Sequence, residues 1–80
     1  MSQEYREEVM FYMTMLFYDK FLQNKFIVMD EYYAVIQDIV VDYILNFDKT
    51  SKGLMESIED YLKDKENDLI DLADNCTEDY

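Results

Sequence analysis

A single glycine, Gly53, and no proline occur in 80 residues. Tight reversals of the chain draw heavily on those two residue types. A chain nearly without them is expected to make few turns between long elements. Helices satisfy that better than a many-turned β-fold. The length provides material for one domain, 1–80, and a chain this short leaves little spare stability for strained catalytic groups in a deep pocket. Half the residues are hydrophobic, which is too apolar for a disordered chain. The expected class is all-α: a three-helix bundle, or a helical hairpin plus a C-terminal acidic helix.

Periodicity places helices at about 3–23, 29–46 and 52–74. Ser2, Gln3 and Glu4 suit a helix start, and Tyr5, Val9, Met13, Leu16 and Phe17 form one stripe at i, i+3 and i+4 spacing. Met10, Phe11, Tyr18 and Phe21 lie off that stripe, so this helix is apolar around much of its girth. Gln23-Asn24-Lys25 reads as a turn. Asp30 and Glu31 open the second helix, whose stripe is Tyr32, Ile36, Ile39, Val40 and Tyr43. Asp38 and Asp42 fall on its other side. The β-branched run Ile39-Val40-Val41 would also suit a strand, but carboxylates repeating every four residues favour helix. Thr50 or Ser51 is a candidate cap for the third helix, with a stripe through Met55, Ile58, Leu62, Leu69 and Leu72 that is interrupted near Lys65 and Glu66. Residues 75–80 are expected to fray.

The net charge is −12, from 19 acidic and 7 basic residues. Such a charge repels nucleic acid and anionic membranes, and directs the chain toward basic protein surfaces. The seven basic residues are scattered, so direct nucleic-acid binding is not expected. The apolar run from Val9 to Tyr18 is too short to span a bilayer, and Met1 to Glu8 lacks the layout of a secretion signal. Cys76 has no second cysteine to pair with, and a cytoplasmic location is expected.

Several chemistries lack their residues. There is no histidine to serve as general base or metal ligand, and so no partner of the usual kind to activate Cys76. One glycine cannot build a phosphate loop. The segment Asp64-Lys65-Glu66-Asn67-Asp68-Leu69-Ile70-Asp71 has EF-hand character, but that loop requires Gly at its sixth position and Glu at its twelfth. Here they are Leu69 and Asn75. No enzyme activity, metal site or cofactor is expected.

The charge is uneven. Residues 56–80 hold ten carboxylates against Lys63 and Lys65, a net of −8. Glu56, Asp60 and Asp64 are four apart on the third helix; Asp71, Asp74 and Glu78 continue that side, and Glu59, Glu66 and Asp68 flank it. Residues four apart rise about 6 Å along a helix, and a DNA strand carries a charge about every 3.4 Å. Two or three such rows approach the charge density of a phosphate backbone. Like charges at i, i+4 weaken a helix by a few tenths of a kcal/mol each, a local cost that a simple solvated face avoids by using more lysine. An ordinary solvated face is the competing explanation.

In overall character the chain resembles small acidic phage and mobile-element inhibitors of the anti-CRISPR and anti-restriction type. That resemblance implies a non-catalytic inhibitor that blocks the basic groove of a nucleic-acid-binding protein, with Glu56, Glu59, Asp60, Asp64, Asp68, Asp71 and Asp74 as contact residues. A second resemblance rests on Asp19 to Tyr32. Phe21 and Leu22 form an apolar helix end, Phe26 and Ile27 an apolar step, and Asp30, Glu31 and Tyr32 an acidic-aromatic helix start. This segment resembles the SHOCT motif. It departs from the pattern at Lys25, where the turn glycine usually sits, and at Val28, where a capping Ser or Thr usually sits. The resemblance implies a helical hairpin used for oligomerisation or protein contact. In that reading Met10, Phe11, Met13, Phe17, Tyr18 and Phe21 form the interface, and a homodimer is expected.

Overall fold

The computed structural model describes residues 2–47 and 53–78. Its order is α1 (Gln3–Phe17), a π-helical segment (Tyr18–Leu22), β1 (Phe26–Ile27), α2 (Met29–Asn46), α3 (Leu54–Asp64), α4 (Glu66–Asn75) and β2 (Thr77–Glu78). The expected helical class holds. The third expected helix is two helices, and a two-stranded ladder joins the middle of the chain to its end. The proposed caps Thr50 and Ser51 lie outside the described residues. Gly53 occupies the N-cap position of α3 without a side chain to bond there.

α1 begins as its sequence implies: the Ser2 hydroxyl accepts from the Tyr5 N–H at 3.2 Å, satisfying one amide that the first turn leaves unpaired. Its stripe is buried through Val9, Met13, Leu16 and Phe17, with Tyr5 packed at the margin. The helix then loosens into a π-turn. In an α-helix, residues five apart lie about 140° apart around the axis. The i→i+5 pattern of a π-turn stacks them instead, so Phe17 and Leu22 both reach the core, and both are fully buried.

Asn24 makes the reversal with φ of 65°. Asparagine tolerates this left-handed region because its short polar side chain adds little steric conflict. The left-handed residue is therefore one position before Lys25, where the SHOCT pattern has its glycine. Val28 stands as the N-cap of α2 without a side-chain bond.

Residues 75–78 correct the expectation of fraying; the last two residues, Asp79 and Tyr80, lie outside the described residues. Asn75 ends α4. Cys76 is fully buried. Phe26 pairs with Glu78 and Ile27 with Thr77, antiparallel, and the Val28 N–H donates to the Cys76 carbonyl at 2.9 Å. A segment frays when nothing ties it down; residues 76–78 are held by a buried side chain and a ladder.

Three tyrosines tie the helices together. Tyr43 donates to Ser57 Oγ at 2.7 Å, joining α2 to α3. Tyr61 donates to Asp42 Oδ2 at 2.8 Å, joining α3 back to α2. Tyr32 donates to the Thr14 carbonyl at 3.2 Å, joining α2 to α1. Each ring brings apolar area into the core while its hydroxyl is satisfied across a helix pair. Tyr43, Phe47 and Tyr61 also form a ring cluster with centroids 5.4–5.6 Å apart. Among the described residues, no buried side-chain nitrogen or oxygen lacks a partner.

Burial pushes all three phenol pKa values up, and for Tyr61 the bond to Asp42 adds to the effect. These phenols are neutral in both folded and unfolded chains below about pH 10. Above that, the unfolded chain loses protons that the folded chain keeps, so stability falls as pH rises. An alkaline titration followed by tyrosinate absorbance and far-ultraviolet circular dichroism is expected to show these three ionising together with loss of helix. Ionisation of all the tyrosines with helix retained would contradict this packing.

Candidate protein-binding surface

Ser57, Ile58, Tyr61 and Leu62 are the buried residues of α3. At about 100° per residue, their burial turns Glu56, Glu59, Lys63 and Asp64 outward; Asp60 is partly covered. In α4 Leu69 and Ala73 are buried, and Asp68, Ile70, Asp71 and Asp74 are exposed. Six of the seven proposed contact carboxylates are thus on the open surface, and Asp60 is at its edge.

The arrangement differs from one straight acidic row in three respects. The helix breaks at Lys65, whose backbone (φ −101°, ψ 18°) leaves the helical region, so the α3 and α4 carboxylates belong to two separate rows. Lys63 lies among the α3 carboxylates, four residues after Glu59 in the favourable order for a helix pair. Glu78 belongs to β2 and not to a helical row. Met55, placed in the inward stripe by periodicity, is 43% exposed; Ser57 and Tyr61 take the inward positions because they meet Tyr43 and Asp42 on α2.

Two carboxylates enter the surface that periodicity had set apart. Asp38 and Asp42 of α2 line a shallow groove of about 300 Å³ with Tyr61, Lys65 and Asp68. Hydrogen bonds from Asn46 and Tyr61 hold the Asp42 carboxyl below its ordinary pKa, so it is ionised at neutral pH. The four-residue spacing of Asp38 and Asp42 was visible in the sequence. Their meeting with Asp68 depends on how α2 packs against the break at Lys65. Asp74 forms a surface ion pair with Lys25 at 3.8 Å, an exposed contact worth little stability.

The proposed oligomer residues divide. Met13 and Phe17 are fully buried in the chain's own core and are removed from that face. Both lie on the inward stripe of α1, where the i, i+3 and i+4 spacing already placed them. Phe21 is half-buried, with its ring 5.3 Å from that of Phe17, and Met10 is half-buried at the core margin. Phe11 (64%) and Tyr18 (41%) are exposed, and Met15 (38%) joins them.

Burial raises the Cys76 pKa, which keeps this lone thiol protonated and unreactive. Among the described residues, no group of three His, Cys, Asp or Glu side chains is arranged to hold a metal ion. Among the same residues, no helix is long and apolar enough to cross a membrane. No family model matches the chain, and neither a curated protein nor a solved structure matches it.

Proposed function

We propose that this protein is a non-catalytic inhibitor that binds the cationic groove of a nucleic-acid-binding protein through the carboxylates of α3 and α4. The observation that carries this reading is the outward placement of Glu56, Glu59, Asp64, Asp68, Asp71 and Asp74. The inward sides of both helices are used by packing, so these carboxylates face outward, Asp74 with Lys25 beside it at 3.8 Å. They stand in for phosphates, and the groove holding Asp38, Asp42 and Asp68 receives a lysine or arginine of the partner. The reading requires no direct contact between this protein and nucleic acid or membrane.

The test is charge reversal at exposed positions, Glu56→Lys with Asp64→Lys and Asp71→Lys. Affinity capture of host proteins is expected to recover a nucleic-acid-binding protein with the wild type and to lose it with the variant. Equal recovery by both would count against the reading. A second reading, an interaction or oligomerisation module of the kind the SHOCT resemblance implies, is favoured by the exposure of Phe11, Met15 and Tyr18.

A further inference from the structure

We propose that the outward face of α1 is a docking site for a cationic amphipathic helix of a partner protein. Val9, Met13, Leu16 and Phe17 fix which side of α1 meets the core. Phe11, Met15 and Tyr18, at i, i+4 and i+7, then point directly away from it. They are exposed by 64%, 38% and 41%, and the Phe11 ring packs edge-on against Tyr12 at 5.4 Å. A solvated helix face normally carries polar side chains, and a contiguous apolar row there marks an interaction surface.

Charge selects the occupant. Glu4, Glu7 and Glu8 continue the same face toward the N-terminus, and with Phe11 and Tyr12 they line a shallow groove of about 480 Å³. The helix dipole favours carboxylates only within the first turn, which accounts for Glu4; Glu7 accepts a long bond from Gln3 at 3.4 Å, and neither effect accounts for Glu8. A second copy of this chain fits poorly. Each copy carries −12, and parallel pairing along this face would set the two glutamate groups against each other. Antiparallel pairing would offer those glutamates little beyond Lys20, which itself adjoins Asp19. A helix with apolar residues at i, i+3 or i+4 and i+7, and with Lys or Arg at one end, complements both halves of the face. From Glu4 to Tyr18 the face is about 21 Å long, so the occupant is a helix of about fourteen residues. The site shares no residue with the carboxylates of α3 and α4 and stands or falls separately from them.

The probe is a synthetic helical peptide of about fourteen residues, with leucines at that spacing and lysines at one end. Binding to the full chain is measured by calorimetry at about 0.15 M salt. Phe11→Ser with Met15→Ser is expected to weaken binding at least about tenfold, as is Glu7→Lys with Glu8→Lys. The triple reversal on α3 and α4 is expected to bind as the wild type does. All four substituted side chains on α1 are exposed, and thermal melts of the variants confirm that the fold is kept. Four results would overturn the proposal: no binding of the peptide; equal binding of a scrambled peptide of the same composition; loss of binding only in the α3–α4 variant; or a wild-type dimer that Phe11→Ser dissociates.

Discussion

Replacing Tyr43 by alanine is expected to destabilise the fold by about 3–5 kcal/mol, the range for deleting a large buried ring. A chain of 80 residues has a total stability of about 4–12 kcal/mol at 0.05–0.15 kcal/mol per residue. The variant should therefore lose from about a quarter of its stability to all of it. The size of the effect follows from position. Tyr43 is 1% exposed, stacks on Phe47 and meets Tyr61 edge-on, and donates to Ser57, which is itself buried.

Milder substitutions separate ring from hydroxyl. Tyr43→Phe keeps the ring but leaves Ser57 without its donor, at a cost of about 1–3 kcal/mol. Ser57→Ala takes away the acceptor that the phenol donates to and leaves it only its interaction with Tyr5, with a cost at the low end of that range. The double variant is expected to cost clearly less than the two together, because neither polar group is then stranded. Urea denaturation of the four proteins measures the coupling. Strict additivity would mean that the bond does not link α2 to α3 in solution.

The second large effect concerns binding. With Glu56→Lys, Asp64→Lys and Asp71→Lys combined, the affinity for a captured partner is expected to fall by on the order of a hundredfold or more, since attraction is replaced by repulsion. Folding stability should change little, because surface substitutions of this kind usually stay within about 0.5 kcal/mol each. Wild-type affinity should fall by about a hundredfold between 50 and 200 mM salt. That is less than the roughly 10³–10⁵ lost by a protein contacting six to ten phosphates, because carboxylates carry no condensed counterion layer to release. Salt titration of both proteins checks both figures. A reversal variant that binds like the wild type would place the contact elsewhere, with the face of α1 as the first alternative.

How far the sequence revealed this fold depended on the element. α2 was legible end to end, because its stripe of Tyr32, Ile36, Ile39, Val40 and Tyr43 has one consistent period and every member is buried. The break at Lys65 was visible as an interruption of the apolar stripe, but its meaning as two helices was not; it depends on packing between α3, α4 and α2. The π-turn was not legible, since Phe17 and Leu22 five apart do not fit an α-helical stripe and look like noise until both are seen in the core. The ladder of β1 and β2 pairs segments about fifty residues apart, beyond the reach of local pattern. Its short strands carry no alternation long enough to read.

The acidic surface was legible as composition and as spacing, because carboxylates that face away from a core repeat with the helix. Asp42 shows the limit. Placed beside Asp38 on an outward side by spacing, it is bonded to Tyr61 from α3, and only tertiary packing brings both to a groove with Asp68. On α1 the spacing already sets Met13 and Phe17 on one stripe and Phe11 and Tyr18 off it, and an interface drawn from all four together ignores that division. The core stripe and the exposed row run along opposite sides of the same helix, and residue type does not distinguish them.

In the proposed mode of action the carboxylates of α3 and α4 take the place of nucleic acid on a partner. The direct measurement is displacement of labelled duplex DNA from the captured partner, followed by fluorescence anisotropy as this protein is added. The wild type is expected to release the DNA, with less release as salt rises, and the triple reversal variant to release none. A partner that holds this protein and DNA together, or that releases DNA equally to both proteins, would contradict the claim.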